Sequence, residues 1–547
     1  MNPASLISSF ISGERIYSSP SLSLRPGQVI SGKVEKLFPN NTALVQLGSL
    51  RLHAQIDTSI EANGRYWFEA QPSQNGDLVL KVIEHNPKGQ LAGKDSIGSL
   101  LSQFQLSDTK LNHQLLQFLL TSNLPFTKEQ LSKASMWIKE LSKPSNGTAA
   151  IEMMLKKDLP FTNETFKSLI EFQKPSKLST QLEQLAKLLD SPKFSNSEVT
   201  GQLKDLIVSL REGNSITVSQ KVVESLVEQW FSSNNSNEAR QAALKLLHEL
   251  QVFSKSSLPE TLLKTDQLSI NGTSNPAEKE MIKQVVNSLS PVDLSKISAR
   301  MRELAQGNSG TTSPVEANLI KELLDKFNQF TQSFLEDGTE VKHQLKQMIQ
   351  TLGLEHEREI ATFVKNDIEA PAKLESLKAL LLQAIAELGP NGKEMESLLH
   401  RLTGMQLLAQ ESNGPIQQLY MQFPLALGNK LTDITIQWSG RKKKDGQIDS
   451  GFCRILFYLD LENINQTIID MQVQNRVINI SIFNETEGLQ HIVSKGYNIL
   501  KENLSSLDYI LSSVKVIDSL EKKSTNQQDP KAFNFKQKDY QGVDLKI

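Results

Sequence analysis

Apolar and polar residues alternate with a period of two on both flanks of this sequence, while a helical period fills the stretch between, so the chain must build two strand-containing units around a helical middle. The first flank, residues 28–84, holds the runs 28–38, 42–47, 50–56, 66–70 and 77–83. Pro39-Asn40-Asn41, Gly48-Ser49, Ala62-Asn63-Gly64 and Gln74-Asn75-Gly76 separate them. Strands this short and closely spaced imply a small barrel of the oligonucleotide-binding or SH3-like kind.

Pro87, Gly89, Gly93 and Gly98 mark a linker. Helical segments then run to about residue 414, with breaks expected at 143–147, 191–197, 232–237, 271–276, 307–314 and 389–392. Leu124-Pro125-Phe126-Thr127 recurs as Leu159-Pro160-Phe161-Thr162, and Thr127 with Gln130 has capping-box spacing, which suggests paired helical hairpins. Strand character returns from Gln418, with runs at 431–438 and 452–459 across a loop at 439–451. A hairpin follows at 467–473 and 477–483. Asn484 with Glu487 reads as the cap of a helix whose stripe, Leu489, Ile492, Val493, Tyr497, Leu500, Leu504 and Leu507, is to dock on the sheet. A strand at 509–516 closes the unit.

The expected architecture is multi-domain α+β. A flexible serine-rich leader (1–24) precedes a small β-barrel (25–86), a linker (87–98) and a long all-α region of helical hairpins (99–414). A sandwich-like α+β domain with one long helix (415–517) and a polar tail with a strand-like end (518–547) complete it.

Composition narrows the function. With 59 Lys plus Arg against 61 Asp plus Glu, the chain lacks the concentrated basic surface that holding nucleic acid requires. Cys453 is the single cysteine, so neither an internal disulfide nor a cysteine metal cluster can form, and synthesis in the reducing cytoplasm is expected. The longest apolar run, 377–388, is too short to cross a bilayer, and no membrane insertion is expected. The first residues have neither a basic region nor a clean apolar block, unlike a cleaved secretory signal.

Catalytic patterns are missing. His356-Glu357 opens like the zinc motif HExxH, but Ile360 stands where the second histidine belongs. Residues 89–94 are one short of a phosphate loop, and Asp95 replaces its hydroxyl residue. There is no GxSxG elbow and no GxGxxG after a strand. The basic run 441–444 reads as a solvated loop. In the barrel, adjacent Tyr66 and Trp67 must face opposite sides of their strand, which is a poor platform for single-stranded nucleic acid. No catalytic residue, cofactor, metal or small-molecule substrate is expected.

The stretch Leu459-Asp460-Leu461-Glu462-Asn463-Ile464-Asn465, followed by hairpin, helix and closing strand, resembles the C-terminal domain of bacterial flagellar hook-length control proteins. That family's pattern is Leu-x-Pro-x-x-Leu-Gly. Here Leu461 stands for the proline, Ile464 for the second leucine and Asn465 for the glycine, and asparagine tolerates the left-handed backbone such a turn needs. The resemblance implies a cytoplasmically made, non-enzymatic factor, in some members exported by a type III route without a cleaved signal. Its C-terminal domain would contact the cytoplasmic domain of the export-gate switch protein. Leu459, Leu461, Ile464 and Asn465 are the candidate motif residues, and Val543, Leu545 and Ile547 alternate at the chain end as a candidate strand for edge addition. Family middles are Pro- and Gln-rich gauges of length, whereas this middle is helical. The alternatives are a cytosolic scaffold unrelated to flagella and, less favoured, a weak nucleic-acid binder acting through the barrel.

Overall fold

The computed structural model describes residues 25–517, except 40–41, 48–49, 57–59, 73–77, 86–93, 142, 175, 195–196, 233–234, 253–279, 281–283, 285, 288, 306–317, 320, 324, 326–337, 366–375, 410–415, 428–429, 444–446 and 462. The expected leader and tail, with Val543, Leu545 and Ile547, lie outside the described residues, as do the expected breaks at 271–276 and 307–314.

Strands β1 (Gln28–Phe38), β2 (Thr42–Leu47), β3 (Leu50–Ile56), β4 (Arg65–Pro72) and β5 (Leu78–His85) close on themselves in the order β1-β2-β3-β5-β4-β1. The parallel β3·β5 pair and the β1·β4 pair join strands that are not sequence neighbours, so the barrel is a Greek key of the oligonucleotide-binding type and not a meander. Alternation sends Val34, Val45, Leu47, Phe68 and Leu80 inward to the barrel core. Gly32 is required there, because a Cβ would sit 2.5 Å from Leu47 Cδ2. Tyr66 and Trp67 do face opposite ways: Tyr66 fills the barrel, and Trp67 packs outward into the helical core.

The helices are α1 (Lys94–Gln103), α2 (Lys110–Thr121), α3 (Lys128–Lys139), α4 (Pro144–Lys156), α5 (Asn163–Gln173), α6 (Leu178–Leu189), α7 (Glu198–Phe231), α8 (Asn237–Glu249), α9 (Pro291–Ala305), α10 (Gly338–Leu352), α11 (His356–Lys365), α12 (Leu377–Leu388) and α13 (Lys393–Ala409). Helix begins at Lys94, inside the expected linker. The break expected at 143–147 is instead the first turn of α4, where Pro144 fits because that position needs no N–H donor. The two Leu-Pro-Phe-Thr copies behave alike at their ends: Thr127 Oγ1 accepts Gln130 N at 3.1 Å, with the reciprocal Gln130 bond, and Thr162 Oγ1 accepts Thr165 N at 3.2 Å. They differ in the middle. Phe126–Thr127 forms a short strand, β6, that pairs with Gln28 and Val29 of β1, whereas Phe161 stacks on Trp137 at 5.3 Å. One copy thus fastens the barrel to the helices, and the fully buried Phe126 ring contributes about 2–3 kcal/mol to that joint.

Two helical cores result. The first gathers α1–α6, the start of α7, α12, α13 and residues of β7 and β8 described below; the second gathers Val222, Val223, Leu226 and Val227 of α7 with α8 and α9. The 34-residue α7 fills the stretch left between the breaks expected at 191–197 and 232–237, and it belongs to both cores. Gly404 of α13 lies against α5, where a Cβ would meet the Ser168 carbonyl oxygen at 2.5 Å, so only glycine permits this approach.

The C-terminal sheet runs β12-β11-β10-β9-β8-β7, from β7 (Ile416–Leu427), β8 (Lys430–Lys442), β9 (Ile448–Leu461), β10 (Asn465–Gln474), β11 (Val477–Phe483) and β12 (Ile510–Ile517). The meander β7 to β11 is antiparallel, and α14 (Leu489–Ser505) crosses over to place β12 parallel to β11. The loop expected at 439–451 is mostly strand: Arg441 and Lys442 belong to β8, with the Arg441 guanidinium 5.7 Å over the Phe452 ring, and Lys443 N donates to Gln447 O at 2.7 Å. Tyr420, Phe423, Leu425 and Ile434 enter the first core, which therefore runs across the boundary drawn at 414/415. Among the described residues no helix is long and apolar enough to cross a membrane.

Candidate partner-binding site

Leu461 pairs with Asn465 across the β9–β10 turn, and Asn465 has φ +54°, a left-handed conformation that asparagine tolerates. Leu459 lies half-buried against the first core, Leu461 and Ile464 are half-buried, and Asn465 is exposed. The turn is anchored to the helical body: Lys177 Nζ pairs with Asp460, and Asp433 accepts Ser179 N at 3.1 Å. Burial pushes the Asp433 carboxyl up, against the lowering effect of the Ser179 bonds.

Asn484 is not the helix cap that its spacing with Glu487 suggests. Its side chain is only 3% exposed and plugs the β9–β10 turn, with Nδ2 donating to Ile464 O (2.7 Å), Gln466 O (3.3 Å) and Thr467 Oγ1 (2.8 Å) and Oδ1 accepting Thr486 N (2.7 Å). The carbonyls of a tight turn need a donor, and the Asn484 amide is better spent there than on a helix end that reaches water. The helix starts instead after Gly488, whose φ is +77°. Sequence reasoning put Asn484 in the wrong role because its turn partners are strands away.

The α14 stripe is only partly used by the sheet. Leu489 is buried, and Tyr497 and Leu504 pack on Val473, Ile478, Ile480 and Leu511. Ile492 and Ile499 remain 62% and 65% exposed, Leu507 65% and Ile510 64%, with Leu500 at 36%. The expectation that the whole stripe docks is corrected: the apolar arc is wider than one sheet face can cover.

At the sheet edge, Val516 N donates to Gln490 Oε1 at 2.9 Å and Lys515 is exposed, two features that blunt strand addition on β12. On the face opposite α14, Arg454 grips Asp470 with two 2.8 Å bonds. Burial acts to lower the guanidinium, but Asp470 outweighs it; burial also raises the neighbouring Tyr458 hydroxyl to about 12.

Polar residues also fill the joint between α13 and β7. Arg401 is fully buried, donating to Ser176 Oγ at 2.9 Å and Gln422 Oε1 at 2.8 Å. Burial lowers its affinity for a proton and raises that of Tyr420 beside it. Glu357 of the HExxH-like pair contacts Lys378 and Gln406, so it serves packing between α11, α12 and α13. No group of three or more metal-ligating side chains occurs among the described residues, and burial pushes the Cys453 thiol up, away from the reactive thiolate.

No family model matches the chain, and no solved structure matches it. An uncharacterized protein of Bacillus subtilis strain 168, YlqG, is 26% identical over 544 residues, spanning 91% of this chain and 92% of its own length.

Proposed function

We propose that this protein is a non-enzymatic interaction factor of the hook-length-control kind, contacting the cytoplasmic domain of the export-gate switch protein through its C-terminal α+β unit. The observation that carries this reading is the turn at Asn465: a non-glycine residue holds φ +54° at the position where the family pattern has glycine, and hairpin, crossover helix and closing strand follow in the family's order. A gauge of length has to thread as an extended chain. Here two helical cores and a closed barrel occupy the middle and front, which favours switching the gate over measuring a filament. Both Tyr66 and Trp67 are buried, which weighs against the barrel as a stacking platform for nucleic acid.

The test uses the full chain as bait, because β7 and β8 share a core with the helices. The purified cytoplasmic domain of the gate switch protein should be retained. Failure of the intact chain to retain it at any salt concentration would sink the proposal, and capture of other proteins by the helical region alone would favour the scaffold.

A further inference from the structure

Five of the ten large hydrophobics that stand exposed among the described residues fall between Ile492 and Ile510. At 100° per residue, Ile492, Gly496, Ile499 and Asn503 line one flank of α14, beside the stripe that Tyr497 and Leu504 press into the sheet. Gly496 sits at the middle of that flank. Among the described residues nothing lies within 4 Å of where its Cβ would be, so they give no packing reason for a residue that costs helix about 1 kcal/mol. A bare position between two isoleucines suits the close approach of another helix.

The charges beside this flank identify the helix. Lys495 and Glu502 are both exposed, and they lie seven residues apart, two turns along the same border of the stripe. When two identical helices pack antiparallel, each such border faces its own counterpart. Lys495 of one copy then meets Glu502 of the other, and the pair repeats across the twofold axis, as an isologous interface demands. Parallel packing would bring this border against the opposite one, where Val493, Leu500 and Leu507 lie, and no ion pair would form.

We infer that two copies of this chain associate through α14, packed antiparallel with Ile499 nearest the twofold axis, Ile492 farther along the seam and Gly496 between them leaving room for the other helix. The inference is independent of the gate reading, which rests on the β9–β10 turn.

The experiment is sedimentation equilibrium of the full chain across the micromolar range, with gate retention measured in parallel. The expected result is a species of twice the chain mass. Ile499→Asp, at an exposed position that leaves the fold intact, should weaken association by more than about a hundredfold, since it places a carboxylate in the apolar seam. Lys495→Glu should weaken it by about tenfold, and Lys495→Glu combined with Glu502→Lys should restore it. Circular dichroism confirms that each variant is folded.

A single-chain mass at every concentration overturns the inference, as does a dimer that ignores Ile499→Asp. A double swap that fails to recover affinity overturns the antiparallel arrangement. Hydrogen exchange showing α14 protected in a monomeric full chain, and released on deletion of residues 518–547, would give the face to the chain's own tail and also overturn it. Loss of gate retention in Asn465 variants with the dimer intact, or the reverse, separates the two readings.

Discussion

Replacing Asn484 with alanine removes three donated bonds and one accepted bond from a side chain that is 3% exposed. The amide carries two hydrogens, which its three acceptors share, so two donated bonds and one accepted bond at about 1 kcal/mol each amount to about 3 kcal/mol. The Gln466 bond is long at 3.3 Å, and the turn is near enough to solvent for water to replace part of the loss, so the expected cost is about 2–3 kcal/mol. Asn484→Asp should cost more at neutral pH. A carboxylate still accepts from Thr486 N, but it faces the Ile464 and Gln466 carbonyls with nothing to donate. Its pKa in the fold is then raised above the unfolded value, so the folded state holds the proton longer, and stability is present at low pH and lost as pH rises through the folded pKa. The assay is hydrogen exchange of peptides covering 464–486 in the full chain, because a protein with several cores does not promise one global transition. Alanine should speed exchange there by about thirty- to a hundred-and-fiftyfold, with the barrel unaffected. Unchanged exchange at 464–486, or an aspartate variant that is more stable at neutral than at acid pH, would refute the assignment of Asn484 as the plug of this turn.

Asn465→Gly should leave exchange of the β9–β10 turn unchanged or slightly slower, while Asn465→Val should loosen it by about 1–2 kcal/mol, since a branched side chain resists positive φ. Glu357→Ala strands the 3%-exposed Lys378 ammonium with Gln406 and should cost about 2 kcal/mol of local stability, read by hydrogen exchange of peptides from α11 and α12. Lys378→Met fills the same space without a charge and should cost under about 1 kcal/mol; the reverse ranking would show that the pair stabilises beyond its desolvation. Burial holds the His400 imidazole below 6.5, against Glu164, Glu171 and Glu396, which pull upward, with Lys167 adding to the depression. The folded state therefore binds fewer protons than the unfolded one below pH 6.5, and stability falls as pH drops from 6.5 toward the folded value. Hydrogen exchange of peptides from α5 and α13 at pH 7.5 and 5.5, corrected for the intrinsic rate, should show this slope in the parent and a smaller one in His400→Gln.

The barrel strands were legible because alternation sorts Val34, Val45 and Phe68 to one side, and that signal is local. Their closing order was not, since pairing β1 with both β2 and β4 depends on contacts across the whole unit. Helix ends were misread for a definite reason. Gly, Pro and Ser clusters do not mark these ends: α1, α2, α4 and α8 end on Gln105, Asn123, Asp158 and Gln251 in the left-handed conformation. Each is followed by an apolar residue whose N–H reaches back five positions, as Leu124 N does to Leu119 O at 3.1 Å. A lone Gln, Asn or Asp before a leucine or valine was the available signal. For α14, periodicity located the apolar arc but not its coverage, which depends on how much of the sheet lies beneath.

The buried polar joint decides how the candidate site can work. Arg401 donates to Ser176 and Gln422 from a position without solvent, and Asp433 receives Ser179 N, so helix α13, the entry to α6 and the first two strands of the sheet hold one another in register. Leaving either charge buried without its partners costs several kcal/mol, so the sheet cannot swing on the helical body without first exposing these groups. The turn at Asn465 is thereby presented by a rigid frame, since Leu459 packs on the same core and Asp460 is tied to Lys177. An excised piece covering 415–517 would leave Gln422 and Asp433 facing water and strip the helical cover from Tyr420 and Phe423. If the proposed gate contact runs through this turn, the fragment should lose gate retention that the whole chain keeps. Equal retention by both would mean that the joint does not support the turn.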